Sequence, residues 1–207
     1  MNSVFLSASV PRTDSEYYDQ CDPMLIQAAL RTFLFTVLGR KHLVFGGHPS
    51  ISPLILAACK EVGVANKAAV TIYQSNYFKT VQPKENTEFA NFIVTQATSD
   101  RTSSLEKMRS FMLRRHRFEA AVFIGGEDGV LQEHALFRQR HPNAKILALK
   151  SPGGAAASIE SSISDDYDEL IDYVGLFTTD LQIGLNSERN LSLNTPGQTP
   201  SSSFDLG

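Results

Sequence analysis

Three times along this chain, an apolar run meets a pair of glycines and then a helix-like pattern. Leu43-Val44-Phe45 leads into Gly46-Gly47, and Ala120-Ala121-Val122-Phe123-Ile124 leads into Gly125-Gly126. Lys145 to Leu149 reaches Gly153-Gly154 by way of Ser151-Pro152. A wholly apolar strand has both faces covered, as parallel strands between helix layers do. A parallel strand also needs a crossover before the next one, usually a helix. The repeated strand, turn and helix therefore restrict the chain to α/β: a single doubly wound, Rossmann-like parallel sheet with helices on both faces.

The rest of the sequence fits that plan. Val4 to Ala8 reads as a first strand. A helix from Pro23 carries Ile26, Leu30, Phe33 and Val37 at helical spacing, with Gly39 as a stop. Ser52 is expected to cap the next helix, with Pro53 at its first position. Ala69 to Tyr73 and Phe89 to Thr95 supply two more strands. Further helices are expected from Ser103-Ser104 and from Gly129, the latter capped by Asp128. A small-residue helix is expected after Gly154, and an acidic amphipathic one over 166–173. With 207 residues there is room for one sizeable domain, assigned to 1–185. Residues 186–207 are mostly Ser, Thr, Asn, Gly and Pro with few apolar residues to bury, and are expected to form a disordered tail.

In open parallel sheets, ligands bind beyond the carboxyl ends of the strands. Gly46, Gly47, Gly125, Gly126, Gly129, Gly153 and Gly154 let the backbone approach a ligand there. The helix starts that follow offer unpaired N–H groups, which suit phosphate. Ser7 and Ser9, ending the first strand, face the same edge. His48 and Ser50 sit inside the first glycine turn. His48 is placed either to bond a phosphate or base or to cap its own turn. Tyr73 ends the third strand, where it either contacts a base or ribose or is a plain strand end. Glu127 with Asp128 makes the second turn acidic, which favours a ribose or base over a diphosphate. No turn fits G-x-x-x-x-G-K-[ST], and none fits G-x-G-x-x-G after the first strand.

This combination resembles the SLOG superfamily, over roughly residues 4–158. That group includes the Lonely-guy phosphoribohydrolases, the DprA/Smf proteins and sensor domains of bacterial conflict systems. Leu43 to Gly47 is similar to the group's early strand and Gly-Gly turn. Gly125 to Glu133 is similar to its P-G-G-x-G-T-x-x-E turn. The resemblance implies that Glu133, with an arginine from the preceding helix, works on a ribose. Arg109 is the candidate for that arginine. The second motif departs from the pattern: Ile124 replaces the proline, one residue is added before Gly129, and Val130 stands where the hydrolases carry threonine. Glu133 falls one helical turn after Gly129 and so points back toward the site. A solvated helix position is the alternative for both Glu133 and Arg109.

The missing hydroxyl favours binding over hydrolysis. The expectation is a sensor of a nucleotide or nucleotide-derived signal, cyclic or of the NAD and ADP-ribose kind, in defence or stress signalling. The alternative is an N-glycosidase or phosphoribohydrolase acting on a nucleoside monophosphate, with Glu133 and Arg109 catalytic. A nucleotide-type ligand is expected, with no further cofactor specified. The net charge of −3 disfavours nucleic acid as a partner. Two cysteines without metal-ligand spacing point to no metal and a cytoplasmic setting. No apolar run spans a bilayer. A homodimer through the helix at 103–116 is allowed by its apolar stripe, which a core-facing helix explains equally well.

Overall fold

The computed structural model describes residues 3–64, 69–164, 166–184 and 186–190. Six strands form one sheet: β1 (Ser3–Ser9), β2 (His42–Gly46), β3 (Val70–Ser75), β4 (Asn91–Thr95), β5 (Phe118–Gly125) and β6 (Lys145–Ala148). Their order across the sheet is β4-β3-β2-β1-β5-β6. Every neighbouring pair is parallel. The helices are α1 (Pro23–Val37), α2 (Ser52–Glu61), α3 (Arg101–Arg114), α4 (Asp128–Arg140) and α5 (Tyr173–Asp180).

Strand alternation sorts the core into two layers. Val4, Leu6, Leu43, Phe45, Ile72, Val122 and Leu147 face α1, α2 and α5. Phe5, Val44, Tyr73, Ala121, Phe123 and Ile146 face α3 and α4. In the second layer Phe5 stacks on Phe137 of α4, with ring centroids 5.6 Å apart. Ser7 and Ser9 share the parity of Phe5, so they lie on the α3/α4 side at the strand's carboxyl end. Burial of each such aromatic contributes about 1.5–3 kcal/mol. α3 turns Met108, Arg109, Met112 and Leu113 inward, so its apolar stripe is spent on the core.

Three helices start on an aspartate cap. Asp22 accepts from the N–H groups of Met24 and Leu25, Asp100 from Ser103 and Asp172 from Gly175. Four expected boundaries shift for physical reasons. Ser52 is not a cap. The N–H groups of Ile51 and Ser52 both donate to His48 O, so the chain is already turning at Ile51 and Ser52 is buried as the first helical residue. Asp128 likewise lies inside α4, after Glu127. The expected helix over 166–173 is replaced by turns before α5. Asp168 is drawn to the loop after β6, accepting from Lys150 N–H at 2.5 Å and Ser151 Oγ at 2.6 Å, while Ile171 sits at φ 58°. After Gly154 only a single 3-10 turn forms, Ala155–Ser158. Beyond α5, Arg189 donates to the carbonyls of Leu38 and Phe35. Of the expected tail, 191–207 lies outside the described residues.

Candidate functional site

The chain steps from β1 outward through β2, β3 and β4, then returns to place β5 on the other side of β1. The strand order therefore reverses between β1 and β5. A crevice opens at such a switch point beyond the strand ends, where open α/β sheets bind ligands. Ser9 and Gly125 pair in register at that edge.

Glu133 stands at this edge of the sheet. It projects from α4 one turn after Gly129. Its Oε2 accepts from Ser7 Oγ at 2.6 Å, and its Oε1 accepts from Arg109 Nε at 3.0 Å. Arg109, from α3, also donates to Gln132 Oε1 at 2.7 Å and to Gly129 O at 3.4 Å. The Arg109 residue is only 7% exposed, and the side chain of Glu133 14%. The two groups assigned from sequence thus form one well-shielded ion pair, fixed by bonds to three other residues. Gly46 stands over it. A Cβ at Gly46 would lie 3.9 Å from Glu133 Oε1 and 3.4 Å from Met108 Cε.

The rim on the β5 side is acidic but engaged. Glu127 Oε1 accepts from Arg12 N–H at 2.7 Å, and Asp128 Oδ1 from Tyr17 Oη at 2.9 Å. The bond to Asp128 pushes the Tyr17 phenol's pKa up, since the carboxylate holds its proton in place. Neither α2 nor α4 carries a side-chain cap, in contrast to the three aspartate-capped helices. These are the two helices that follow the glycine turns of β2 and β5. At α2 the first N–H groups are met from within the chain, since Ile51 and Ser52 both donate to His48 O and Pro53 has none to offer, and at α4 Val130 N–H donates to Glu127 O.

The remaining glycines have a different task. Gly126 lies at φ 78°, and a Cβ there would collide with Val130 Cγ2 at 2.2 Å. Its N–H donates to Ser9 O, and its carbonyl accepts from Ala155 N–H. Gly154, at φ 72°, packs its Cα side against Gly125, with the backbone carbon 2.8 Å from where a Cβ would be. Gly154 N–H donates to Gln20 O, and Asp22 N–H to Pro152 O. Gly125, Gly126, Gly153 and Gly154 thus lock four chain segments into a backbone collar at the carboxyl end of β5. The collar accounts for these glycines without a ligand.

Three residues expected at the ligand edge find partners within the chain. Tyr73 is wholly buried; its side chain runs under α3, and its Oη meets His116 Nε2 at 2.8 Å. Burial pushes its pKa up to about 12. His48 and Ser50 are exposed and bond each other, Nδ1 to Oγ at 2.8 Å, which is the turn-capping arrangement. The structure brings together Ser7, Ser9, Gly46, Gly129, Glu133 and Arg109, with Gly47, His48, Ser50 and Glu127 at the margins. Sequence reasoning missed Gln132, Arg12 and Tyr17. Gln132 neighbours Glu133, but nothing in the sequence pairs it with Arg109. Arg12 and Tyr17 lie in a polar stretch that reads as a plain loop.

Among the described residues no three His, Cys, Asp or Glu side chains are grouped to hold a metal ion. A groove of about 360 Å³ between α1 and α5, lined by Arg31, Phe35, Val174 and Thr178, is separate from the glycine turns. No described helix is long and apolar enough to cross a membrane.

A family model described as the SLOG cluster3 family matches residues 16–181. The chain belongs to the SLOG cluster3 family. The matched region spans both uncapped helices and the Arg109–Glu133 pair, while β1 with Ser7 and Ser9, and Arg12, precede it. No curated protein matches the chain. A crystal structure titled as TM1055, a structural genomics target, is similar at 15% identity and a TM-score of 0.49, over 75% of this chain and 78% of that one.

Proposed function

We propose that this SLOG cluster3 domain binds a nucleotide or nucleotide-derived signal in the crevice over β1 and β5, as a sensor. The observation that carries the reading is the Ser7–Glu133–Arg109 constellation at the switch point, set between two helix N-termini without side-chain caps. Glu133 is held as a fixed acceptor, suited to ribose hydroxyls. The start of α4, which follows the glycine turn of β5 without a side-chain cap, suits phosphate. The signal is expected to be cyclic or of the NAD and ADP-ribose kind.

A second reading, N-glycosidic cleavage of a nucleoside monophosphate, draws support from the 3.0 Å approach of Arg109 to Glu133. There Glu133 would stabilise the developing oxocarbenium ion. Binding ranks first for two reasons. Both carboxylate oxygens of Glu133 already accept bonds from side chains of the chain itself. Val130, where the hydrolases carry threonine, is buried against Gly126 and offers no hydroxyl.

The test is thermal shift with nucleoside monophosphates, cyclic nucleotides, NAD and ADP-ribose, followed by chromatography of each hit. A ligand at a hundred times its Kd adds about 2.7 kcal/mol, or roughly 5–10 °C for a chain of this size. Sensing predicts a shift with the ligand recovered intact, whereas a cleaved hit favours hydrolysis. Gly46→Leu, which grows a side chain over Glu133, should abolish the shift. A flat screen refutes both readings.

A further inference from the structure

The turn after β2 holds a second group of polar atoms, away from Glu133. Gln74 lies near the end of β3. Asn86 sits in the 3-10 turn Lys84–Glu88, which packs against α2. Ser52 opens α2. Ser52 and Asn86 are wholly buried, and Gln74 is 6% exposed. Even so, Ser52 Oγ, Gln74 Oε1 and both ends of the Asn86 amide have no hydrogen-bond partner. Buried polar groups are nearly always paired, and four such atoms around one turn are not how a core ordinarily closes.

Two of these atoms meet at Gly47. A Cβ there would stand 2.6 Å from Gln74 Oε1 and 2.7 Å from Asn86 Nδ2. Glycine is what allows the two amides to reach the turn. Gly47 is itself only half-buried, so the amide ends lie close beneath an accessible stretch of backbone. The N-terminus of α2 starts nearby without a side-chain cap.

We propose that this corner is a base-recognition pocket, in which Asn86 and Gln74 read the edge of an adenine-type ring. The inference rests on the nucleotide reading above and adds the part of the ligand that gives selectivity. A side-chain amide offers a donor and an acceptor side by side. That matches a ring nitrogen next to an exocyclic amine, the pairing by which Asn and Gln read adenine. Gln74 Oε1 adds an acceptor for the amine. A phosphate offers only acceptors and would face the oxygens of Gln74 and Asn86, with no cation in the group. The pocket is closed by the turn that bears Asn86. The backbone bonds of that turn run from Asn86 N–H to Pro83 O and from Phe89 N–H to Asn86 O. Both are local, so admitting a ring means parting this turn from α2, where Lys60 and Glu88 pair at 3.7 Å, and leaves the sheet intact.

The experiment is titration calorimetry with AMP, IMP and ribose 5-phosphate on the full chain, Asn86→Leu and Gln74→Met. Each variant is first checked by thermal melting. The wild-type chain should bind AMP at least tenfold tighter than IMP or ribose 5-phosphate, the range expected when buried amides gain or lose their partners. In both variants the advantage of AMP should shrink to under threefold. Affinity for ribose 5-phosphate should hold, and melting should be no lower, because apolar replacement of an unpaired buried amide removes a penalty. If one variant fails to fold, the other carries the test. Variants that keep the preference for AMP overturn the pocket and leave the nucleotide reading standing. A wild-type chain that binds AMP no better than ribose 5-phosphate also overturns it. If none of the three binds, the pocket falls, and the broader screen above decides the nucleotide reading separately.

Discussion

Replacing Glu133 by Gln tests the centre of the site with the least change of shape. The amide keeps the volume and can still meet Ser7, but it leaves the Arg109 guanidinium without its counter-charge. Among the described residues Arg109 forms no other ion pair, and it is 7% exposed. Removing one partner of a buried pair costs roughly 3–5 kcal/mol. The Glu133 side chain retains 14% exposure, so some water reaches the pair and the lower end, about 3 kcal/mol, applies. For a domain of this length that is a fall of roughly 6–12 °C in Tm. Adding Arg109→Met should recover most of the loss, because a pair removed together costs far less than one broken from a single side. Urea denaturation of the wild type, both single variants and the double variant gives the full cycle. A Glu133→Gln variant within 1 kcal/mol of wild type, or a double variant as unstable as the sum of the singles, would refute the argument that this is a shielded, mutually dependent pair.

Three other outcomes follow from features away from Glu133. Burial lowers the pKa of His42 to about 4, so the folded chain keeps this ring neutral while the unfolded chain takes up a proton below about 6.5. Stability should therefore be full above pH 6.5 and decline toward pH 4, by up to roughly 3 kcal/mol; a decline of equal size in His42→Gln would assign it to other groups. Asp100→Ala should cost about 1 kcal/mol by uncapping α3, read as a lowered urea midpoint at unchanged slope; an unchanged midpoint sinks the capping assignment. Gly154→Ala places a Cβ 2.8 Å from backbone of Gly125 at a positive φ, and should cost more than Gly63→Ala, where φ is also positive but nothing lies within 4 Å; equal Tm losses would mean that the collar yields easily.

The sheet was legible from the sequence because parallel strands buried on both faces must be apolar throughout, and glycine pairs punctuate them. Glu133 was picked out by resemblance to the glycine-turn motif, and its offset of one helical turn from Gly129 agrees with its place beside Ser7 and Arg109. Arg109 was harder: its assignment came from resemblance, and only packing of α3 on α4 brings it within 3.0 Å of Glu133. Asn86 was illegible. It sits in a polar stretch without periodicity, and its burial depends on contacts with α2 that no local pattern encodes. Ser52 and Tyr73 misled for related reasons. A serine before proline reads as a cap, but the turn at His48 had already begun the helix. A tyrosine at a strand end reads as a ligand contact, yet its ring lies along the sheet toward His116.

The collar changes what the stretch from Arg12 to Asp22 means. By composition it is a disposable loop, the kind of place where a tag, a protease site or an insertion is normally put. In the folded chain its backbone supplies the bonds from Arg12 to Glu127, from Gly154 to Gln20 and from Asp22 to Pro152. A cut between Thr13 and Gln20 would leave the six strands and five α-helices whole while freeing Tyr17 from the α3/α4 layer and loosening the turn after β5. Susceptibility of this stretch to limited proteolysis therefore reports the state of the crevice rather than the state of the fold.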